Sequence, residues 1–101
     1  MASGKLLSVD YEVFGRVQGV FFRKFTKDTA NAQGCVGWVM NTCDDTVKGV
    51  VQGSTEKVEN MMHWLSKVGS PMSRISKCEF HNKREIPKLE YTKFAVKSSG
   101  W

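Results

Sequence analysis

No apolar run in the chain approaches the roughly 20 residues needed to cross a membrane as a helix. The opening residues, MASGKLLSVD, lack the apolar segment of a secretory signal. Membrane insertion is therefore not expected, and a cytoplasmic location is. There is no CxxC pair and no Cys/His spacing suited to zinc. Three cysteines, Cys35, Cys43 and Cys78, cannot all pair within one chain, which points to free thiols in a reducing compartment. Two nucleotide signatures are missing as well: the P-loop, with four residues between its glycines and then Lys-Ser/Thr, and the dinucleotide G-x-G-x-x-G. ATP, GTP and NAD are poor candidates, and neither a metal nor a cofactor is expected.

What is present fits one domain, residues 1–101, of which 1–6 read as a loose lead-in. Apolar residues make up 41% and charged residues 25%, enough to form one core and to argue against disorder. The formal charge of +5 favours anionic partners: phosphorylated metabolites, nucleic acid or acidic surfaces. Charge alone does not choose among these, and a solvated Lys-rich surface explains it equally well.

From Leu7 to Phe14, Val9, Tyr11 and Val13 alternate with Ser8, Asp10 and Glu12, which predicts a strand with one wet face, ended by Gly15. Phe22 to Gln33 can be helical, with Phe22, Phe25, Thr26 and Thr29 on one side and Lys24, Lys27 and Asn31 on another; Gly34 stops it. Val36–Thr42 and Thr46–Gly53 flank Cys43-Asp44-Asp45 as a hairpin. Ser54 or Thr55 caps a second helix, whose stripe is Val58, Met61, Met62, Leu65 and Val68, stopped by Gly69 and Pro71. Ser73–His81 alternates again, Pro87 breaks the chain, and Leu89–Val96 supplies a last strand. The order βαββαβ plus a final strand predicts an α+β, ferredoxin-like sandwich, with two helices on one face of a mostly antiparallel sheet.

One stretch carries chemistry. Gly15, Arg16, Val17, Gln18, Gly19, Val20 and Phe21 lead into Arg23 where the first helix begins. Loop amides and the positive helix end can surround a small anion, and Arg23 can add a forked cation. By spacing alone, a plain turn with a solvated arginine remains the better reading.

The run YEVFGRVQGVFFR, Tyr11–Arg23, closely resembles the first signature of the acylphosphatases. GWVMN, Gly37–Asn41, continuing to Val47 and Gly53, resembles the second. VQG at Val51–Gly53, WL at Trp64-Leu65, VGSP at Val68–Pro71 and LEY at Leu89–Tyr91 match in order. The resemblance spans nearly the whole chain. It implies hydrolysis of carboxyl–phosphate bonds, with an acyl phosphate as substrate and inorganic phosphate as product. It also implies that loop amides from Gly15 to Phe21 and the Arg23 side chain bind phosphate, and that Asn41 places the attacking water. A monomer without nucleic-acid partners is expected.

Two positions depart from the family pattern: Asp45 stands where glycine is expected at the hairpin turn, and Phe21 where some members carry cysteine. The tail, Ser98–Trp101, runs past the usual end. The alternative is a nucleic-acid-binding module on the same element order. Lys48-Gly49 begins like an RNA-recognition strand motif, but no stacking aromatics follow. His63 and His81 read as surface histidines, Met61 and Met62 as core filler, Trp38 and Trp64 as packing residues, and Lys83, Arg84 and Lys88 as solvated loop.

Overall fold

The computed structural model describes residues 5–97. Five strands and two helices appear in the order β1 (Leu6–Arg16), α1 (Phe22–Gln33), β2 (Val36–Asn41), β3 (Val47–Ser54), α2 (Thr55–His63), β4 (Arg74–Ile86) and β5 (Phe94–Lys97). They form one sheet in the order β4-β1-β3-β2-β5, antiparallel except between β2 and β5. This is the expected ferredoxin-like architecture. Of the lead-in and the tail, residues 1–4 and 98–101 lie outside the described residues, whereas Leu6 already belongs to β1.

Alternation on β1 produces the core directly. Leu7, Val9, Tyr11 and Val13 are buried together with Val39, Val47 and Val51 of the neighbouring strands and with Phe22, Ala30, Val58, Met61 and Leu65 of the helical layer. Tyr11 lies opposite Gly49, and its hydroxyl donates to the Trp38 carbonyl at 2.9 Å. A Cβ on Gly49 would sit 2.0 Å from that carbonyl and 2.5 Å from the tyrosine Oη, so the missing side chain is what lets the ring cross.

The helices differ from expectation in detail. Ser54 occupies the N-cap of α2 but makes no capping hydrogen bond. A missing cap forgoes about 1 kcal/mol, whereas each fully buried side chain of Val58, Met61 and Leu65 contributes about 1.5–3 kcal/mol. Burial therefore holds the helix. Its end is a widened turn, Trp64–Val68, closed by the Gly69 N–H on the Trp64 carbonyl at 2.9 Å. The extra residue in that turn moves Val68 off the core stripe, and its side chain is 54% exposed. Phe25 and Thr29 are likewise only half-buried, and Ala30 takes the place they were expected to fill.

The outer strands also differ. β4 continues past His81 to Ile86 because a bulge, with Asn82 at φ 55°, absorbs the break in alternation. Leu89–Thr92 is not strand. There the Glu90 N–H donates to Gln52 Oε1 at 2.8 Å, and Gln52 Nε2 donates to Glu90 Oε1 at 2.8 Å and to Ser8 Oγ at 3.1 Å. Side chains of the sheet's outer face thus capture the segment before β5, and that end of the face is covered: Ser8 and Gln52 are buried. Lys83 and Arg84 are not simply solvated, since they reach Glu59 at 3.9 Å and Glu90 at 3.4 Å.

Two predictions arise from the fold. Asp45 has φ 65°, the left-handed conformation that glycine adopts without penalty. Asp45→Gly should stabilise by about 1 kcal/mol, raising Tm by roughly 4–8 °C, with turnover retained; a lower Tm would refute this.

The second concerns alkaline pH. Burial pushes the Cys78 thiol from 9.0 up to about 12, with the Glu79 carboxylate adding, and the Cys35 thiol up to about 11, partly offset by Lys57. Burial likewise raises the Tyr11 hydroxyl well above 10.0, with Cys78 adding. Each group holds its proton more tightly folded than unfolded. Their contribution is complete below the unfolded values and lost as pH climbs towards the folded ones. Tm should therefore fall steeply above pH 9, the ordinary thiol value, and Tyr11→Phe should flatten the part of that fall above 10, the ordinary tyrosine value. Thermal scans from neutral to strongly alkaline pH check both.

Candidate active site

The chain between β1 and α1 is shorter as a loop than its glycines suggest. Gly15 and Arg16 remain in the ladder, opposite Ile75 and Arg74 of β4, after a register shift at Phe14/Gly15. The free turn is residues 17–21. Within it Val17 is buried and Val20 packs against the core. Among the described residues, no turn or loop hydrogen bond uses a backbone N–H of residues 18–21.

Phe21 sits at the N-cap of α1 with φ 58° and provides no side-chain cap, and no acidic residue stands in the first turn. The first-turn N–H groups and the positive end of the helix are thus left without a counter-charge from the helix itself. Arg23 projects from that turn, and its Nη1 donates to the Lys97 carbonyl at the end of β5, at 3.2 Å. One of its five N–H groups is used this way, which fixes the fork and leaves donors for an anion.

A cleft of about 570 Å³ opens here, lined by Val17, Gly19, Phe21, Arg23, Lys27 and Asn41 among others. Asn41 is the last residue of β2 and reaches the cleft from the hairpin. The structure therefore brings Arg23, at the start of α1, and Asn41, at the end of β2, to one cavity. Asp28 also lines it, but pairs with Lys24 at 2.9 Å.

Gln18 does not line the cleft; its side chain does something the sequence did not disclose. Its Nε2 donates to the carbonyls of Thr42 at 2.9 Å and Thr46 at 2.8 Å, clamping the turn after β2 to the loop after β1. The turn is braced further by Thr46 Oγ1, which donates to Glu12 Oε2 at 2.6 Å. Because that proton is committed, Thr42 Oγ1 must be the donor in its 2.6 Å contact with Thr46 Oγ1. Thr42 Oγ1 then accepts from the backbone N–H groups of Asp44 and Thr46. These bonds hold Asn41 in register with the loop. Residues 24 and 28 positions away carry the clamp, so no local pattern could have revealed it. Lys27 and Val96 were missed for a related reason: one resembles any solvated helix lysine, the other any strand residue.

Fold and cleft together define a ferredoxin-like α+β domain with a cationic pocket at one end of its sheet. The acylphosphatase family model matches residues 9–96. Acylphosphatase-2 of Bos taurus is 58% identical over 98 residues, covering 96% of this chain and 99% of that protein. Acylphosphatase-2 of Homo sapiens is 59% identical over 92 residues, covering 91% and 93%. The crystal structure of acylphosphatase from Bacillus subtilis matches with a TM-score of 0.80 at 30% identity, over 90% of this chain and 98% of that one. The chain belongs to the acylphosphatase family, and the two animal acylphosphatases match it over nearly its full length.

Proposed function

We propose that the protein hydrolyses the carboxyl–phosphate bond of acyl phosphates, releasing a carboxylate and inorganic phosphate. The observation that carries this reading is the shared cleft: Arg23, the uncapped start of α1 and Asn41 line one cavity. Loop amides and Arg23 hold the phosphoryl oxygens. Asn41 accepts one hydrogen bond from water, donates another, and so holds the water in line with phosphorus.

Such a sparse site suits this substrate. A carboxylate leaves without needing a proton, so no general acid is required. What remains is to neutralise charge on the phosphoryl oxygens and to position the nucleophile. Asn41 is no base near neutral pH, so water attacks directly and no covalent enzyme intermediate forms. No metal is needed in this scheme, because Arg23 and the helix end supply the positive charge. The domain acts as a cytoplasmic monomer without nucleic-acid partners. In support of the last point, the outer face of β3, the strand that contains Lys48-Gly49, carries Lys48, Val50 and Gln52 and no stacking aromatic.

Phosphate release from benzoyl phosphate tests the proposal. Wild type should turn over with or without chelator. Arg23→Ala should lose about 10²–10³-fold in kcat/KM, the equivalent of one or two charge-assisted hydrogen bonds. No release by wild type rejects the enzyme reading, and full loss on chelation rejects metal independence.

A further inference from the structure

Phe21 is doubly unfavourable as a folding residue. Its backbone lies in the left-handed region, φ 58°, where residues with a Cβ are disfavoured, and its ring is 73% exposed. Strain kept at a site without a packing return directs attention to ligand. The ring lines the phosphate cleft, and Val96 of β5, 41% exposed, lines the same cleft. Two of the large hydrophobic side chains left exposed by this fold therefore converge on one cavity. The cations that line the cleft, Arg23, Lys24 and Lys27, do not account for them: among the described residues none is stacked on the Phe21 ring, Lys24 pairs with Asp28, and Arg23 is anchored on the Lys97 carbonyl.

Resting on the acyl-phosphate reading above, we infer that Phe21 and Val96 form the acyl-group subsite. The class of substrate preferred is then an acyl phosphate whose acyl part is aromatic or an extended apolar chain. With the phosphoryl group held by the loop amides, the acyl carbon leads out of the cleft towards its apolar rim. An aryl group gains from the Phe21 ring both burial and an offset or edge-to-face contact. An acetyl group offers little surface for either. Phe21 is a specificity-determining residue that acts on ground-state binding rather than on the bond-breaking step.

Steady-state kinetics with benzoyl phosphate and acetyl phosphate test this. The quantity that decides is the change in the ratio of their kcat/KM values between wild type and variant, which cancels the intrinsic reactivity of the two compounds. Phe21→Ala should reduce the benzoyl preference by on the order of tenfold, with the loss falling on KM for benzoyl phosphate. Phe21→Tyr, which keeps the ring, should retain the preference. Phe21→Gly should lose it while raising Tm, because glycine relieves the left-handed backbone. That rise separates loss of the subsite from loss of fold. A ratio unchanged in both Phe21→Ala and Phe21→Gly, with both compounds still hydrolysed, overturns the inference while leaving the activity intact. Failure of wild type to hydrolyse either compound removes the activity itself, and the subsite with it.

Discussion

Asn41→Ala is expected to lose on the order of 10²–10³-fold in kcat, the range set by losing an orienting or transition-state contact. Inorganic phosphate should still inhibit, its inhibition constant moving less than about threefold, since an interaction made with water is not part of phosphate affinity. The split follows from where the groups sit. Arg23 and the start of α1 belong to one segment, and Asn41 closes the end of β2 across the cleft. Removing the amide leaves the anion cradle intact and leaves the nucleophile unplaced. Side-by-side measurement of kcat and phosphate inhibition checks it. A parallel collapse of phosphate binding would show that Asn41 holds the anion, and the orienting role would be abandoned.

Gly15→Ala is expected to destabilise the fold severely. Gly15 has φ 126°, and a Cβ built there would lie 2.1 Å from the Arg74 carbonyl oxygen and 2.7 Å from the Ser76 nitrogen. Both are backbone atoms of β4, so no rotamer change relieves the overlap; the strand pair must separate locally. Backbone strain of about 1–3 kcal/mol and overpacking of about 1–3 kcal/mol combine to roughly 2–5 kcal/mol. Thermal or urea unfolding should show Tm lowered by about 10 °C or more. Phosphate affinity should fall too, because the register shift at Phe14/Gly15 sets where the free turn begins. A near-neutral Gly15→Ala would mean that β4 yields easily, and that the glycine is not what holds the two strands so close.

Much of this protein was legible in the order of its residues, for identifiable reasons. Period-two burial on β1 and the 3.6-residue spacing of Val58, Met61 and Leu65 report local amphipathicity, which depends on nothing far away. Arg23 and Asn41 stood out because their surroundings match two family signatures, not because isolated spacing required a site. Two things overrode the local pattern elsewhere: a contact distant in sequence, and a local change of helix phase. Leu89–Thr92 alternates like a strand, yet the buried Gln52 side chain takes hydrogen bonds from and gives them to Glu90, and draws the segment over the sheet. Val68 continues the helical stripe in sequence but leaves it in space, because one widened turn shifts the phase.

The sequence by itself determined the elements, the fold class, the family and the two side chains proposed to act on substrate. The stretch Gly15 to Arg23 was by spacing only a possible anion loop. Tertiary structure divided that stretch: Gly15 and Arg16 became strand, residues 17–21 became the turn, and Gln18 became a clamp on the neighbouring hairpin. It also brought the Lys97 carbonyl to Arg23 across 74 positions of chain, and Val96 to the cleft that Phe21 lines. Local sequence encodes which face of an element is buried. Which elements then lie side by side depends on the order β4-β1-β3-β2-β5, and only that order puts β5 and the end of β2 beside the first helix.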